Sequence, residues 1–154
     1  MLPVKKVSRL LAPTVPLVLE VDDGAHKLEL RLAWTMRGVI LTELKLRELG
    51  IYVNVIQNPG LFWRDLDSAK LTAAVWGMSS QEHPEYQDDE GFETITSFLI
   101  TENYEVAAER LKDAFLESLS PKRREEIREA EKQAVSSPTP PTPSSDPTPA
   151  PVQS

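Results

Sequence analysis

Hydrophobic and polar residues alternate between Val15 and Asp22, with Val15, Leu17, Leu19 and Val21 on one side. After Asp22-Asp23-Gly24 the alternation resumes at Leu28, Leu30 and Leu32. A period of two marks a half-buried strand, and a glycine in the connection supplies the positive φ that a tight reversal needs. The pattern predicts an antiparallel hairpin over residues 15–33, with Pro16 suited to an edge or a first pair position. Two strands alone are not stable in water, so later elements must cover one face.

From residue 35 the period changes. Thr35 is placed to cap a helix running to Leu49, and Gly50 to stop it. Wound at about 100° per residue, Met36, Val39, Ile40, Leu44 and Leu46 gather on one broad side, the expected core face, while Leu41 and Leu49 fall outside it. Residues 51–63 are ambiguous: Ile51 to Ile56 reads as a short strand or a packed loop, and Asn58-Pro59-Gly60 as a turn. Asp67 predicts an N-cap with Leu66 and Leu71 in staple positions. Leu71, Ala74, Val75 and Met78 carry that helix to near Ser80, and a polar loop spans 81–91. In 92–101 the β-branched residues favour a strand, whereas Phe92, Ile95 and Leu99 behind a run of acids favour a short helix; local rules do not decide. Tyr104, Ala108, Leu111, Phe115 and Leu119 then form the stripe of an amphipathic helix over 102–119. Ser120-Pro121 opens a last, mostly solvated helix.

The periodicity stops at residue 136. Residues 136–154 contain 7 Pro, 5 Ser and 3 Thr, which offer no apolar surface to bury. They are expected to be a disordered tail acting as a spacer or as a peptide for a proline-reading domain. Residues 1–14 are expected to be a flexible arm, leaving 15–135 as the folded domain. The predicted fold class is α+β, with an N-terminal hairpin packed on a small, mostly α-helical body of four to five helices.

Composition narrows the function classes. The 154 residues carry 24 acids and 17 bases, a formal charge of -7, and no cysteine. Disulfides, thiolate metal sites and a cysteine nucleophile are thereby excluded, and the redox compartment stays open. No apolar run approaches the roughly 20 residues of a membrane span, and Pro13 and Pro16 interrupt the segment after Lys5, Lys6 and Arg9 that could pass for a signal. An acidic chain repels phosphate backbones unless its bases cluster.

The inventory for catalysis is thin. There are two histidines. His26 reads as an exposed strand-end residue, and His83 with Glu85, Asp88, Asp89 and Glu90 could be drawn as the site of a metal-dependent hydrolase. Its spacing matches neither a helical His-Glu-x-x-His arrangement nor a calcium loop, so a solvated acidic loop is the simpler reading. No phosphate-cradling glycine loop and no serine triad is recognisable, and no cofactor or metal is expected. Residues 82–117 hold 11 acids against 2 bases, whereas Lys122, Arg123 and Arg124 form a basic cluster. That cluster allows an alternative function, a small nucleic-acid-associated regulatory protein, although Glu125, Glu126, Glu129 and Glu131 follow it directly. Of the three tryptophans, Trp76 reads as core, and Trp63 beside Phe62 as the better candidate to face a partner.

The order of these features carries a resemblance. A hairpin with Leu28-Glu29-Leu30-Arg31-Leu32 leads to a helix ending Leu46-Arg47-Glu48-Leu49-Gly50. Arg64-Asp65-Leu66-Asp67 then opens a helix containing Ala73-Ala74-Val75-Trp76, which Glu82-His83-Pro84-Glu85 closes. A short segment and a long amphipathic helix ending Leu116-Glu117-Ser118-Leu119 complete the set. Over residues 15–120 this resembles the tail assembly chaperones of long-tailed bacteriophages and related prophage particles. The resemblance implies a non-enzymatic protein that binds the tape-measure protein, helps recruit tail-tube subunits, acts in the host cytoplasm and is absent from the finished virion. It also implies that a longer frameshifted product often accompanies the short one. No membrane partner is expected, nucleic acid is disfavoured, and a homo-oligomer is left open. For such a protein Leu41, Leu49, Phe62 and Trp63 are the candidate partner-binding residues, an apolar surface able to hold an amphipathic helix; the competing reading is that they complete the core under the hairpin.

Overall fold

The computed structural model describes residues 11–136, and side-chain burial for 11–133. Strands β1 (Val15–Val21) and β2 (His26–Leu32) pair antiparallel, with Val15 opposite Leu32 and Val21 opposite His26. The alternation decides the buried face: Val15, Leu17, Leu19, Leu28, Leu30 and Leu32 all enter the core. The connection closes with Ala25 N–H donating to the Asp22 carbonyl at 3.0 Å. Asp23 and Gly24, the central residues of that turn, have φ of 54° and 88°, the positive values a primed hairpin turn requires.

Pro16 lies opposite Arg31. Having no N–H, Pro16 fits a pair that exchanges no hydrogen bonds, which leaves the Arg31 N–H pointing away from β1. His83 Nε2 accepts that N–H at 3.0 Å, and two residues further on Ala33 N–H reaches the Met78 carbonyl at 2.9 Å. On the other strand the Glu20 carbonyl accepts from Asn103 Nδ2 at 3.0 Å. These contacts occupy backbone groups that an edge would otherwise leave free for another chain.

Six helices follow among the described residues: α1 (Met36–Glu48), α2 (Pro59–Arg64), α3 (Ser68–Met78), α4 (Asp89–Phe98), α5 (Thr101–Glu117) and α6 (Pro121–Ser136), with a 3-10 turn at Pro84–Tyr86. The fold class is α+β, a hairpin followed by a mostly helical body. The count passes the four to five expected because 59–64 winds into a short helix, while 92–98 falls within α4. Three N-caps set helix starts: Thr35 accepts from Gly38 N–H at 2.9 Å, Asp67 from Lys70 N–H at 2.9 Å and Asp88 from Gly91 N–H at 2.7 Å.

Helix α3 is central, buried without interruption from Leu71 to Met78. Helix α1 crosses it through Gly38 and Gly77, whose missing side chains let the backbones approach, and Thr42 Oγ1 donates to the Gly38 carbonyl at 2.7 Å at that crossing. The conflict over 92–101 is settled by α4. Asp88 caps it, Gly91 lies against the Tyr86 backbone where no side chain would fit, and Ile95 is fully buried. Its threonine hydroxyls donate back to the Glu90 and Phe92 carbonyls at 2.9 and 2.7 Å, so they find partners on the helix itself.

The chain divides into two units, one running to Ser118 and the other beginning at Leu119. In the second, Ser120 Oγ accepts from Arg123 N–H at 3.2 Å at the start of α6. The expected proline-rich tail beyond 136 and the first ten residues of the expected arm lie outside the described residues. Residues 11–14 lie inside them, and there the Gln81 side chain accepts from Ala12 N–H at 3.1 Å and donates to its carbonyl at 3.0 Å.

Candidate functional site

The four residues expected to form one apolar surface are not equivalent. Phe62 is 2% exposed and belongs to the core, so its assignment to an exposed surface is corrected. The cause is α2: the short helix turns Phe62 inward, where its ring sits 6.3 Å from Trp34. Trp63 is half-buried and stacks on Trp34 at 5.6 Å and 27°, with Phe115 5.7 Å away. It does not project from a loop as a free aromatic. Leu41 is half-buried against the core, and only Leu49, 49% exposed, is plainly at the surface. The structure therefore brings Phe62 and Trp63 together in an aromatic cluster with Trp34 and Phe115.

The exposed face of α1 differs from the one the hydrophobic pattern predicts. Met36, Ile40 and Leu44, assigned to the core stripe, are 60%, 48% and 45% exposed, while Gly38, Val39, Thr42, Lys45 and Leu46 are buried. Close approach to α3 demands small residues at the crossing, so the helix turns Gly38 and Thr42 inward there and leaves Met36, Ile40 and Leu44 outside. The result is a row at i, i+4 and i+8 along the outer face. The segment 52–56 runs beside that row, held where Glu43 Oε2 accepts from Val55 N–H at 2.9 Å, and it adds exposed Tyr52 and Ile56. A shallow groove of about 290 Å³ lies between the start of α1 and this segment, lined by Trp34, Met36, Val39, Val55, Ile56 and Phe115. Seven of the nine large hydrophobic side chains that stand exposed among the described residues fall between Met36 and Leu61.

Charged groups elsewhere serve packing. Lys45 is 6% exposed, with its ammonium 4.8 Å over the Trp76 ring and 4.7 Å over that of Phe92. Glu48 and Asp89 approach it at 3.3 and 3.4 Å. It fastens α1 to α3 and α4, and nothing in its amphipathic surroundings announced this from the sequence. Trp76 is core, as its spacing suggested, and its Nε1–H donates to the Tyr86 carbonyl at 2.7 Å. Asn103, another residue the pattern missed, is buried and joins the Glu20 and Phe98 carbonyls at 3.0 and 2.7 Å.

His83 is committed to the hairpin edge through Nε2, which leaves Nδ1 to face Glu85 Oε2 at 3.3 Å. Among the described residues no three His, Asp or Glu side chains gather in a metal-holding group, and no helix is long and apolar enough to cross a membrane. In the second unit Arg123 reaches Glu126 at 3.4 Å, within the acid-rich sequence that follows the basic cluster.

Neither a protein-family model, nor a curated protein, nor a solved structure matches this chain.

Proposed function

We propose that the protein is a non-enzymatic tail assembly chaperone of a long-tailed phage or related particle. On this reading it covers the tape-measure protein before the tube encloses it and helps bring tail-tube subunits to it. The observation that carries the proposal is the concentration of exposed apolar side chains between residues 36 and 61, on a chain of net charge -7. Exposed apolar side chains on an otherwise charged protein are the physical requirement for binding an apolar helical partner while staying dispersed. Burying each of these side chains is worth roughly 1.5 to 3 kcal/mol before ordering costs, so a handful suffices to set an affinity. The order of hairpin, helix, loop, helix, short segment and long helix supports the same reading.

Assembly in cells tests it. With the remaining tail genes present, deletion of this gene is expected to leave the tape-measure protein aggregated and tails absent, and mass spectrometry of particles made in its presence is expected to lack this chain. Normal tails without the gene, or stoichiometric recovery of the chain in finished particles, would refute the proposal.

A further inference from the structure

His83 meets the hairpin in a way that fixes its protonation state. The antiparallel ladder turns the backbone groups of Lys27, Glu29 and Arg31 away from β1, toward the outer edge of β2. At the Arg31 end the imidazole closes that edge, with Nε2 accepting the Arg31 N–H at 3.0 Å. An imidazole nitrogen accepts only through its lone pair, so the proton of the neutral ring sits on Nδ1. There Glu85 Oε2, 3.3 Å away, is its acceptor. Both ring nitrogens are engaged, and the side chain is only 19% exposed. A proton added at Nε2 would set two donors head to head, so the contact exists only for the neutral ring.

Among the described residues, the charged and titratable groups around the ring come from its own segment and from β2. The segment supplies Glu85, Tyr86 with its ring centroid 6.1 Å away, and Glu82, whose carboxylate accepts from Gln81 Nε2 at 3.3 Å. Strand β2 supplies Arg31, whose Nε donates to Thr14 Oγ1 at 3.0 Å, and Glu29, exposed two residues earlier on the same side of the strand. Residues 11–14 bring no charge. Glu85 is 61% exposed, so a charged ring that leaves Arg31 keeps a carboxylate able to follow it outward.

We propose that His83 is a proton-operated latch on the hairpin. The neutral imidazole holds the loop after α3 to β2, and uptake of one proton from solvent at Nε2 releases the Arg31 N–H. The latch is closed at the higher pH, where the ring is neutral, and opens as pH falls through the titration of the ring. The stabilisation that this contact contributes is lost in the same direction. Histidine is the side chain that ordinarily changes charge between about pH 5 and pH 8, which places the switch in a physiological range. Opening is confined to one donor, because Ala33 N–H keeps its bond to the Met78 carbonyl, a backbone pair that takes up no proton. The released Arg31 N–H joins the outward-turned groups of Lys27 and Glu29 and lengthens the strand edge offered to another chain.

NMR of the full chain between about pH 8 and pH 5 tests it. At the high end the nitrogen shifts of the His83 ring are expected to report a bare Nε2 and a protonated Nδ1. Through the titration the Arg31 amide shift is expected to move with the ring at one shared midpoint. Protection of Arg31 against hydrogen exchange, corrected for the intrinsic rate at each pH, is expected to fall about threefold or more relative to Ala33. His83→Gln offers an acceptor that does not titrate and is expected to flatten the Arg31 response. Glu85→Gln, which removes the carboxylate facing Nδ1, is expected to move both midpoints together. His26→Gln, at the other histidine, is expected to change neither.

A protonated Nε2 at high pH, a flat Arg31 response, or a response that persists in His83→Gln would overturn the proposal. So would separate midpoints for Arg31 and the ring, a response that vanishes in His26→Gln, or an equal loss of protection at Ala33. The tautomer and the shared midpoint are read on the wild-type chain, so they decide the matter even where His83→Gln does not fold.

Discussion

Gly38 on α1 and Gly77 on α3 meet where the two helices cross: a Cβ placed on Gly77 would lie 2.7 Å from the Gly38 carbonyl oxygen and 2.5 Å from Thr42 Oγ1. That approach is closer than any real side chain tolerates. Gly77→Ala is therefore expected to destabilise the protein by about 1 to 3 kcal/mol through forced separation of the helices, although alanine is the better helix former by itself. Urea unfolding of the variant measures the loss, and unchanged stability would mean that the crossing relaxes freely.

Lys45 separates the contribution of its stem from that of its charge. Its methylenes are buried and its ammonium sits between two rings and two carboxylates. Lys45→Ala, which removes both, is expected to cost roughly 2 kcal/mol, and Lys45→Met, which keeps the stem, distinctly less. Equal losses in thermal unfolding would place the whole effect in the cation over the Trp76 and Phe92 rings.

The His83 contact is local, and so is its expected signature. His83→Ala removes the acceptor of the Arg31 N–H while leaving the bond from Ala33 N–H to the Met78 carbonyl. Native-state hydrogen exchange is expected to speed up at Arg31 and to change little at Ala33. Equal acceleration at both would mean that the loop and the hairpin open together.

Phe62 and Leu49, once grouped as one surface, are expected to part on substitution. Phe62→Ala opens a cavity in the core and is expected to cost about 3 to 5 kcal/mol, while Leu49→Ser, at an exposed helix end, stays within about 0.5 kcal/mol of wild type. Melting temperatures of the two variants check this directly.

The hairpin was legible because Val15 to Leu32 alternates without a break and Asp-Gly marks the reversal. The two ends of α1 were legible for the same kind of reason, since Thr35 and Gly50 are local signals. Its orientation was not. A pattern of large apolar residues points to the core only where the neighbouring element leaves room for them, and α3 instead selects Gly38 and Thr42, pushing Met36, Ile40 and Leu44 outward. Helix α5 repeats the lesson in part: its buried line of Asn103, Ala107, Leu111 and Ala114 keeps Leu111 of the predicted stripe and otherwise lies one position off Tyr104, Ala108 and Phe115. Residues 92–101 could not be assigned locally because the β-branched residues and the helical spacing oppose each other there, and what decides between them, burial of Ile95 in the core, is tertiary. The candidate site was legible as a region rich in surplus leucine and aromatic residues, and misplaced in its members, because α2 folds Phe62 inward.

The most direct test of the account is recovery of soluble tape-measure protein on co-expression with this chain, compared with Ile40→Asp/Leu44→Asp. Both substitutions fall on exposed positions, so the variant is expected to keep its melting temperature. The account predicts that wild type holds the tape-measure protein in solution and co-purifies with it, while the folded variant leaves it in the pellet. Equal recovery with both chains, or none with either, would contradict it.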